Sequence, residues 1–152
     1  MRLTFAMWGL GGSGAELVVY RVAEELAREG HEVSIAALVG WGWNGSIPQF
    51  SAKVTVVTQG KALRPFFSLE WLAEFDPRFK FASCTFPLLY AINTRALARL
   101  IERTRPEVII TTSWYTVPAA MEASGGRVPV YAFVQDVVDN YIAYDQYRGI
   151  EK

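Results

Sequence analysis

Gly9-Leu10-Gly11-Gly12-Ser13-Gly14-Ala15-Glu16 is a glycine-rich stretch that joins two segments of different periodicity. The apolar run Arg2-Leu3-Thr4-Phe5-Ala6-Met7-Trp8 precedes it, and apolar residues with helical spacing follow it: Val19, Val22, Ala23, Leu26 and Ala27. This order predicts a strand, a tight turn and a helix. Helix N-terminal amides lack partners within the helix and carry partial positive charge, and glycines let a ligand approach the backbone closely. The stretch is therefore typical of a phosphate-binding turn.

Length and composition limit the classes of protein to consider. The chain has 152 residues, which is enough for one domain with a substantial core. Its 15 basic and 15 acidic residues give a formal net charge of zero, which argues against a general attraction to nucleic acid or to an anionic bilayer. Cys84 is the only cysteine, Met1 leads directly into the predicted strand, and no apolar run is long enough to span a membrane. We expect a cytoplasmic protein.

Strands and helices alternate along the rest of the sequence. The first helix ends at Gly30, and the aromatic-rich residues 60–86 are irregular, with short helical pieces. Further strands are predicted at 33–39, 54–57, 107–111 and 128–134, and further helices at 88–104 and 115–123. This alternation predicts an α/β domain, a doubly wound, Rossmann-like parallel sheet with helices on both faces. Ligands bind such sheets at the carboxyl ends of the strands, which places three loops at the site: residues 9–14, 113–116 and 135–139.

Three readings of the glycine-rich turn follow from its residues. Gly9, Gly11 and Gly14 satisfy the dinucleotide fingerprint G-x-G-x-x-G, but the second strand ends in Leu38-Val39-Gly40-Trp41, without the acidic residue that binds the ribose of NAD. A Walker phosphate loop is excluded because no Gly-Lys-Ser/Thr follows the turn. A purely structural turn also stays open, since Ser13 and Glu16 have the spacing of a capping box.

Three stretches of the chain resemble the amino-terminal domain of GT-B glycosyltransferases of the retaining, nucleotide-sugar-dependent group. The first covers the turn and its helix, as Leu10 to Val19 and its continuation Ala23 to Val33. The second is Arg105-Pro106-Glu107-Val108-Ile109-Ile110, and the third is Val128-Pro129-Val130-Tyr131-Ala132-Phe133-Val134-Gln135-Asp136. They stand in the family's order and span the whole chain.

The resemblance implies that residues 1–152 are one half of a two-domain enzyme. In that family the first domain mainly holds the acceptor, and a C-terminal domain, absent from this sequence, holds the nucleotide sugar. The chain alone is therefore expected to be inactive. The resemblance assigns the substrate-binding residues Gly11, Gly12, Ser13, Gly14, Ser113, Trp114 and Gln135, and it makes Asp136 the catalytic candidate. The expected partners are a nucleotide-diphosphate sugar and a carbohydrate or lipid-linked acceptor.

The chain departs from the family pattern where relatives carry histidines. Gln135 stands before the acidic residue of the last strand, and Ile110 and Thr112 stand in the preceding strand motif. Glutamine forms hydrogen bonds but cannot exchange a proton near neutral pH, so acid–base chemistry is not expected at that position. We predict no metal site and no cofactor. The only histidine, His31, lies in a turn away from the strand ends, and Asp136 has an alternative role as a helix cap.

Aromatic and basic residues suggest further contacts. Trp41 and Trp43 follow the second strand on the ligand side, where they can stack on sugar rings, contact lipid or fill the loop. The aromatic residues 66–86 could touch a lipid-linked acceptor or the inner membrane face as a peripheral contact. Arg95, Arg99 and Arg103 form a stripe that is best explained as a solvated helix face.

Three functions remain open from the sequence: an acceptor-side glycosyltransferase domain, an NAD-binding oxidoreductase module, and a non-catalytic domain that binds a sugar or a nucleotide. The missing carboxylate after the second strand argues against the NAD-binding module. Reading the coding sequence beyond Lys152 would separate the first function from the third, because a second α/β domain with paired glutamates is expected for the transferase.

Overall fold

The computed structural model describes residues 1–11, 14–39, 49–59 and 86–133. They form a parallel sheet with helices on both faces, which confirms the predicted α/β fold. The elements in chain order are β1 (Arg2–Gly9), α1 (Gly14–Arg28), β2 (Glu32–Val39), β3 (Val54–Thr58), α2 (Phe86–Arg103), β4 (Val108–Thr111), α3 (Val117–Ser124) and β5 (Val130–Ala132). A single 3-10 turn, Trp114–Thr116, precedes α3.

The strand order within the sheet is β3-β2-β1-β4-β5. All four neighbouring pairs are parallel, so the carboxyl ends of the strands lie at one edge of the sheet. The strand order reverses between β1 and β4, where the crossover through α2 returns the chain from β3 to the other side of β1. In sheets of this kind a crevice opens at that reversal, and it is the usual place for a ligand.

The side chains of β1 alternate between two hydrophobic cores. Leu3, Phe5 and Met7 are buried on the face that α1 covers, where Val19 and Ala23 pack against them. Ala6 belongs to the opposite face, which α2 and α3 cover with buried aliphatic residues, Leu97, Leu100, Ile101, Ala119 and Ala120. Burial on both faces explains the near-continuous apolar sequence of the strands.

Glycines end the first and third helices as their sequence positions indicate. Gly30 follows α1 with a φ of 90°, and its N–H donates to the carbonyl of Ala27 at 3.2 Å. Gly125 follows α3 with a φ of 52°, in the left-handed region that favours glycine. Each turn sends the chain back towards the sheet for the next strand.

Several element boundaries differ from the predicted ones by one or two residues, and prolines account for two of the differences. The helix predicted at 115–123 is a 3-10 turn followed by α3, which starts at Val117 because Pro118 is accommodated in the first helical turn. The last strand covers only Val130–Ala132 rather than 128–134, since Pro129 has no N–H to donate to the ladder. Its carbonyl still accepts from the N–H of Ile109 at 3.0 Å. Position 134 and most of the predicted irregular segment 60–86 lie outside the described residues.

Candidate functional site

Two loops leave the sheet side by side at the reversal of strand order. Thr111, the last residue of β4, pairs with Ala6, whereas β1 continues alongside β2 to the pair of Gly9 and Val39. Thr112 then fastens the loop after β4 to β1, because its N–H and its Oγ1 donate to the carbonyl of Ala6 at 3.3 and 3.1 Å. The loops after β1 and β4, both predicted to be ligand loops, therefore start next to each other.

Leu10, in the core, and Tyr20, on α1, anchor the start of the glycine turn after β1. Leu10 is fully buried, and the Tyr20 hydroxyl donates to the carbonyl of Gly11 at 3.0 Å. Gly14 begins α1 on the exposed side of the turn. Gly11 therefore precedes the helix and Gly14 begins it, whereas Gly12 and Ser13 lie outside the described residues.

Glu16 occupies an unexpected place in this turn. Its side chain reaches back from the first turn of α1 and covers the Cα of Gly11 so closely that a methyl group there would lie 2.6 Å from the Glu16 Cδ. Side chains of a helix lean towards its N-terminus, and a carboxylate is favoured by the positive end of the dipole. A side chain at position 11 would therefore contact the Glu16 carboxylate unless that carboxylate moved.

Tyr20 lies beside this carboxylate in a largely apolar environment. Burial raises the pKa of the Tyr20 phenol above its ordinary value, and the negative charge of Glu16 raises it further. The ring meets Phe50 edge to face, with 5.8 Å between the ring centroids. Tyr20 therefore remains a neutral hydrogen-bond donor over the ordinary pH range, and its bond to Gly11 fixes the turn against the helix.

The loop after β4 presents Ser113 in an extended conformation before the 3-10 turn. The carbonyl of Ser113 accepts from the N–H and the Oγ1 of Thr116, at 3.1 and 2.7 Å, so the backbone of this loop is fixed. The Ser113 hydroxyl is buried and has no hydrogen-bond partner among the described residues. A buried hydroxyl in this state is available to a ligand or to a neighbouring group, since leaving it unpaired is costly.

Four aromatic rings contact one another on the face covered by α2 and α3, and we refer to them as the aromatic cluster: Trp8, Tyr90, Trp114 and Tyr115. Trp8 stacks on Tyr90 and meets Tyr115 edge to face, with centroid distances of 6.1 and 5.4 Å. Tyr115 in turn meets Trp114 edge to face at 5.4 Å, and Trp114 remains 40% exposed. The cluster supports one exposed indole ring at the carboxyl ends of β1 and β4.

The described residues of the predicted site follow two neighbouring strands. Gly11 lies in the turn after β1 and Gly14 begins α1, whereas Ser113 and Trp114 follow β4. The predicted residues Gln135 and Asp136 lie outside the described residues; the described chain reaches Phe133, whose N–H donates to the carbonyl of Thr111 at 2.7 Å. Trp41 and Trp43 also lie outside them.

Several residues of the site were missed by the sequence analysis. Tyr20 directly follows Val19, the first residue of the predicted buried stripe. It also lies four residues after Glu16, and this spacing was the signal in the sequence that the two side chains share one side of the helix. Trp8 belongs to the same face of β1 as Ala6, which the alternation of a strand indicates. Tyr90 and Tyr115 come from distant elements, and no local pattern in the sequence joins them to Trp8.

Two predicted features lie away from the site. His31 is in the turn between α1 and β2, at the amino end of β2, as expected. Arg95, Arg99 and Arg103 are exposed along one face of α2. Among the described residues, no helix is both long enough and apolar enough to cross a bilayer.

The geometry limits what the site can do. The positive end of α1 suits an anionic group, while a buried hydroxyl and an exposed indole suit a ligand with hydroxyl groups and apolar C–H faces. The carboxyl end of β2 offers no acidic residue from Leu38 through Ala52. An NAD ribose would therefore lack its usual partner.

Comparison with known families gives one match. Residues 13–151 match the family model described as a glycosyl transferase 4-like domain. No curated protein and no solved structure shows significant similarity to the chain. The matched range includes the helix after the glycine turn, the loop after β4 and the positions of Gln135 and Asp136. It favours a transferase over the dinucleotide-binding alternative.

Proposed function

The chain belongs to the glycosyl transferase 4-like domain family, and from this premise we propose that it is the acceptor-side domain of a glycosyltransferase. The proposed reaction moves a sugar from a nucleotide-diphosphate sugar to a hydroxyl group of a carbohydrate or lipid-linked acceptor. The family match over residues 13–151 is the observation that carries the proposal. The parallel sheet, with two loops meeting at its strand reversal, supports it.

In this proposal the turn from Gly11 to Gly14 contacts the donor diphosphate. Backbone amides at a helix N-terminus favour an anion, and the negative charge on the diphosphate grows as the bond to the sugar breaks. The position of the turn at the end of β1 supports this role. The donor itself is held by a C-terminal domain that faces this one across a cleft, so the chain alone does not catalyse transfer.

The acceptor lies against Ser113 and Trp114 on the other side of the strand reversal. The Ser113 hydroxyl bonds to an acceptor hydroxyl, and the exposed ring of Trp114 packs against a sugar face. The buried Oγ of Ser113 and the support of Trp114 by Tyr115 favour these roles. The acceptor is thereby oriented before the donor sugar reaches it.

Gln135 and Asp136 complete the proposed acceptor site. Gln135 forms a hydrogen bond with a sugar hydroxyl, and the Asp136 carboxylate accepts one from the hydroxyl that attacks the sugar. As the hydroxyl oxygen bonds to the anomeric carbon, the nucleoside diphosphate departs with the electrons of the broken bond, and its leaving oxygen takes the proton of the hydroxyl. The carboxylate therefore aligns the nucleophile.

Nucleotide release tests the proposal directly. The product of the complete coding sequence is incubated with a panel of nucleotide sugars, and the released nucleoside diphosphate is measured with and without candidate acceptors. We expect release with at least one donor, and we expect Gly12→Val to abolish it by placing a branched side chain in the turn. Arg99→Ala, on the exposed face of α2, is the control and should keep full activity.

The alternatives give different results in the same experiment. An NAD-binding module would bind NAD and release no nucleotide from any sugar donor. A non-catalytic domain would bind a sugar or nucleotide without turnover in any combination. Either result would overturn the proposed transfer.

A further inference from the structure

The exposed indole of Trp114 belongs to a series of ring contacts that leads back to the core. We propose that Trp8 and Tyr90 are positioning residues for the acceptor: acting through Tyr115, they fix the orientation of the Trp114 ring. The proposal rests on the proposed function, which places the acceptor sugar against Trp114. It makes two residues that do not touch the acceptor determine how tightly the acceptor binds.

The first contact joins Trp114 to Tyr115. Trp114 is 40% exposed, and its ring meets that of Tyr115 edge to face, with 5.4 Å between the centroids and 82° between the planes. The edge of an aromatic ring is positive and its face is negative, so this contact favours a definite angle between the two rings. The orientation of the Trp114 ring therefore depends on how Tyr115 is held.

Tyr115 is held at two points, by residues from two different elements. Its ring meets that of Trp8, on β1, edge to face with 5.4 Å between the centroids. Its backbone carbonyl accepts a hydrogen bond from the hydroxyl of Tyr90, on α2, at 3.3 Å. The ring and the backbone of Tyr115 are thus anchored separately, and loss of either anchor gives the Trp114 ring more freedom.

Trp8 connects these contacts to the sheet. It packs against the core that α2 and α3 cover, and its ring stacks on that of Tyr90 with 19° between the planes. It also directly precedes Gly9, the last residue of β1, after which the glycine turn begins. The strand that leads to the proposed diphosphate turn therefore also positions the ring proposed to hold the acceptor. Transfer requires the two substrates in one relative geometry, and a small misplacement of either lowers the rate.

The order of the Trp114 side chain tests the proposal without a ligand. Relaxation of its indole N–H, assigned by the loss of the signal in Trp114→Phe, is measured by NMR on the whole chain. We expect an order parameter of about 0.85 in the wild type, a fall towards about 0.6 in Trp8→Leu, and a smaller fall in Tyr90→Phe. Tyr90→Phe removes only a hydroxyl, so it decides the question if Trp8→Leu does not fold.

Tyr131→Phe is the matched control for the order measurement. It makes the same change as Tyr90→Phe at a side chain that is 61% exposed, so the order of Trp114 should equal that of the wild type. Unchanged order of Trp114 in Tyr90→Phe would overturn the proposal.

Acceptor kinetics separate positioning from a general structural role. The product of the complete coding sequence is used in the nucleotide-release assay, with methyl glycosides as acceptor probes. We expect the KM for the methyl glycoside to rise about threefold in Tyr90→Phe and about tenfold in Trp8→Leu, while the KM for the nucleotide sugar stays within about twofold. A lower kcat with both KM values unchanged would indicate a merely structural role and overturn the proposal.

Trp114→Ala completes a double-mutant cycle with Tyr90→Phe. If Tyr90 acts through Trp114, the KM for the methyl glycoside should rise no further when Tyr90→Phe is added to Trp114→Ala. Additive effects would show that Tyr90 acts by another route and would overturn the inference. Absence of nucleotide release from every donor would overturn the proposed transfer, and the order of Trp114 would still decide whether Trp8 and Tyr90 hold its ring.

Discussion

At the scale of single residues, neighbouring glycines of the turn serve different purposes. The Glu16 side chain covers Gly11, whose carbonyl accepts a hydrogen bond from the Tyr20 hydroxyl. Gly14, by contrast, faces open space at the start of α1. Neither has a positive φ; among the described residues that conformation occurs at Gly30, Arg105, Gly125 and Gly126. Neither glycine is therefore required by an unusual backbone conformation: a methyl group at position 11 would meet the Glu16 carboxylate, and one at position 14 would meet no atom.

Gly14→Ala should separate stability from binding. Alanine fits the backbone and meets no neighbouring atom, so we expect the free energy of unfolding to rise by about 0.4–1 kcal/mol. The added methyl group lies on the exposed side of the turn, and we expect weaker pyrophosphate binding. Urea denaturation measures the stability, and an NMR titration of the chain with inorganic pyrophosphate measures the binding. Unchanged binding would mean that Gly14 does not face the ligand.

Tyr20→Phe tests the hydrogen bond that holds the turn. The variant leaves the Gly11 carbonyl without this donor at a partly buried site, and we expect a loss of about 1 kcal/mol in the free energy of unfolding. Tyr131→Phe is the matched control, because the Tyr131 side chain is 61% exposed. If both variants unfold at the same urea concentration, the Tyr20 bond makes no net contribution to stability.

The residues of the site were predictable only where the sequence carries a local signal. The glycine spacing located Gly11 and Gly14, and the family pattern located Ser113 and Trp114. Glu16 was identified as a capping candidate, but its contact with Gly11 depends on the path of the turn, which spacing does not determine. The aromatic cluster could not be predicted from the sequence, because its rings come from β1, α2 and the loop after β4, which only the folded sheet brings together.

At the scale of elements, glycine and proline decide most of the boundaries. Gly30 and Gly125 stand where the first and third helices end, and this much was readable from the sequence. Pro118 and Pro129 shift the starts of α3 and β5 by two residues each from the predicted positions, because proline has no backbone N–H. The parallel arrangement followed from the alternation of elements, but the order β3-β2-β1-β4-β5 depends on long-range packing of helices on each face.

Gly125→Ala should lower the free energy of unfolding, whereas Gly14→Ala should raise it. The φ of 52° at Gly125 places a Cβ in the left-handed region, and we expect a loss of about 1 kcal/mol in the free energy of unfolding. The same substitution at Gly14 is the control, since there the backbone suits alanine. Urea denaturation of the two variants gives the comparison. A gain in stability at Gly125 would mean that the end of α3 rearranges.

At the scale of the whole molecule, two carboxylates connect segments that are distant in sequence. Glu107, just before β4, accepts from the backbone N–H of Arg2 at 2.9 Å, which joins β4 to the start of β1. Glu24 on α1 accepts from the N–H and the hydroxyl of Ser51, which joins the helix to the segment before β3. Both links lie outside the candidate site, so they concern stability rather than ligand binding.

These two links predict how stability depends on pH. The bond from Arg2 is the main cause of a lowered pKa at Glu107, and the bonds from Ser51 are the main cause at Glu24. A carboxyl group with a lower pKa in the folded state than in the unfolded state stabilises the fold when it is ionised. That contribution is complete above the unfolded pKa of about 4.3 and is lost as the pH falls through the folded values.

Thermal unfolding between pH 7 and pH 3 measures this contribution. We expect the Tm of the wild type to stay nearly constant down to about pH 5 and to fall below it as the carboxylates become protonated. The double variant Glu24→Gln and Glu107→Gln should have a lower Tm at pH 7 and a smaller fall on acidification, because its links no longer depend on pH. Glu29→Gln controls for the loss of one exposed charge. A double variant whose fall matches that of the wild type would show that other carboxylates control acid unfolding, and the two links would then be incidental to the stability of the sheet.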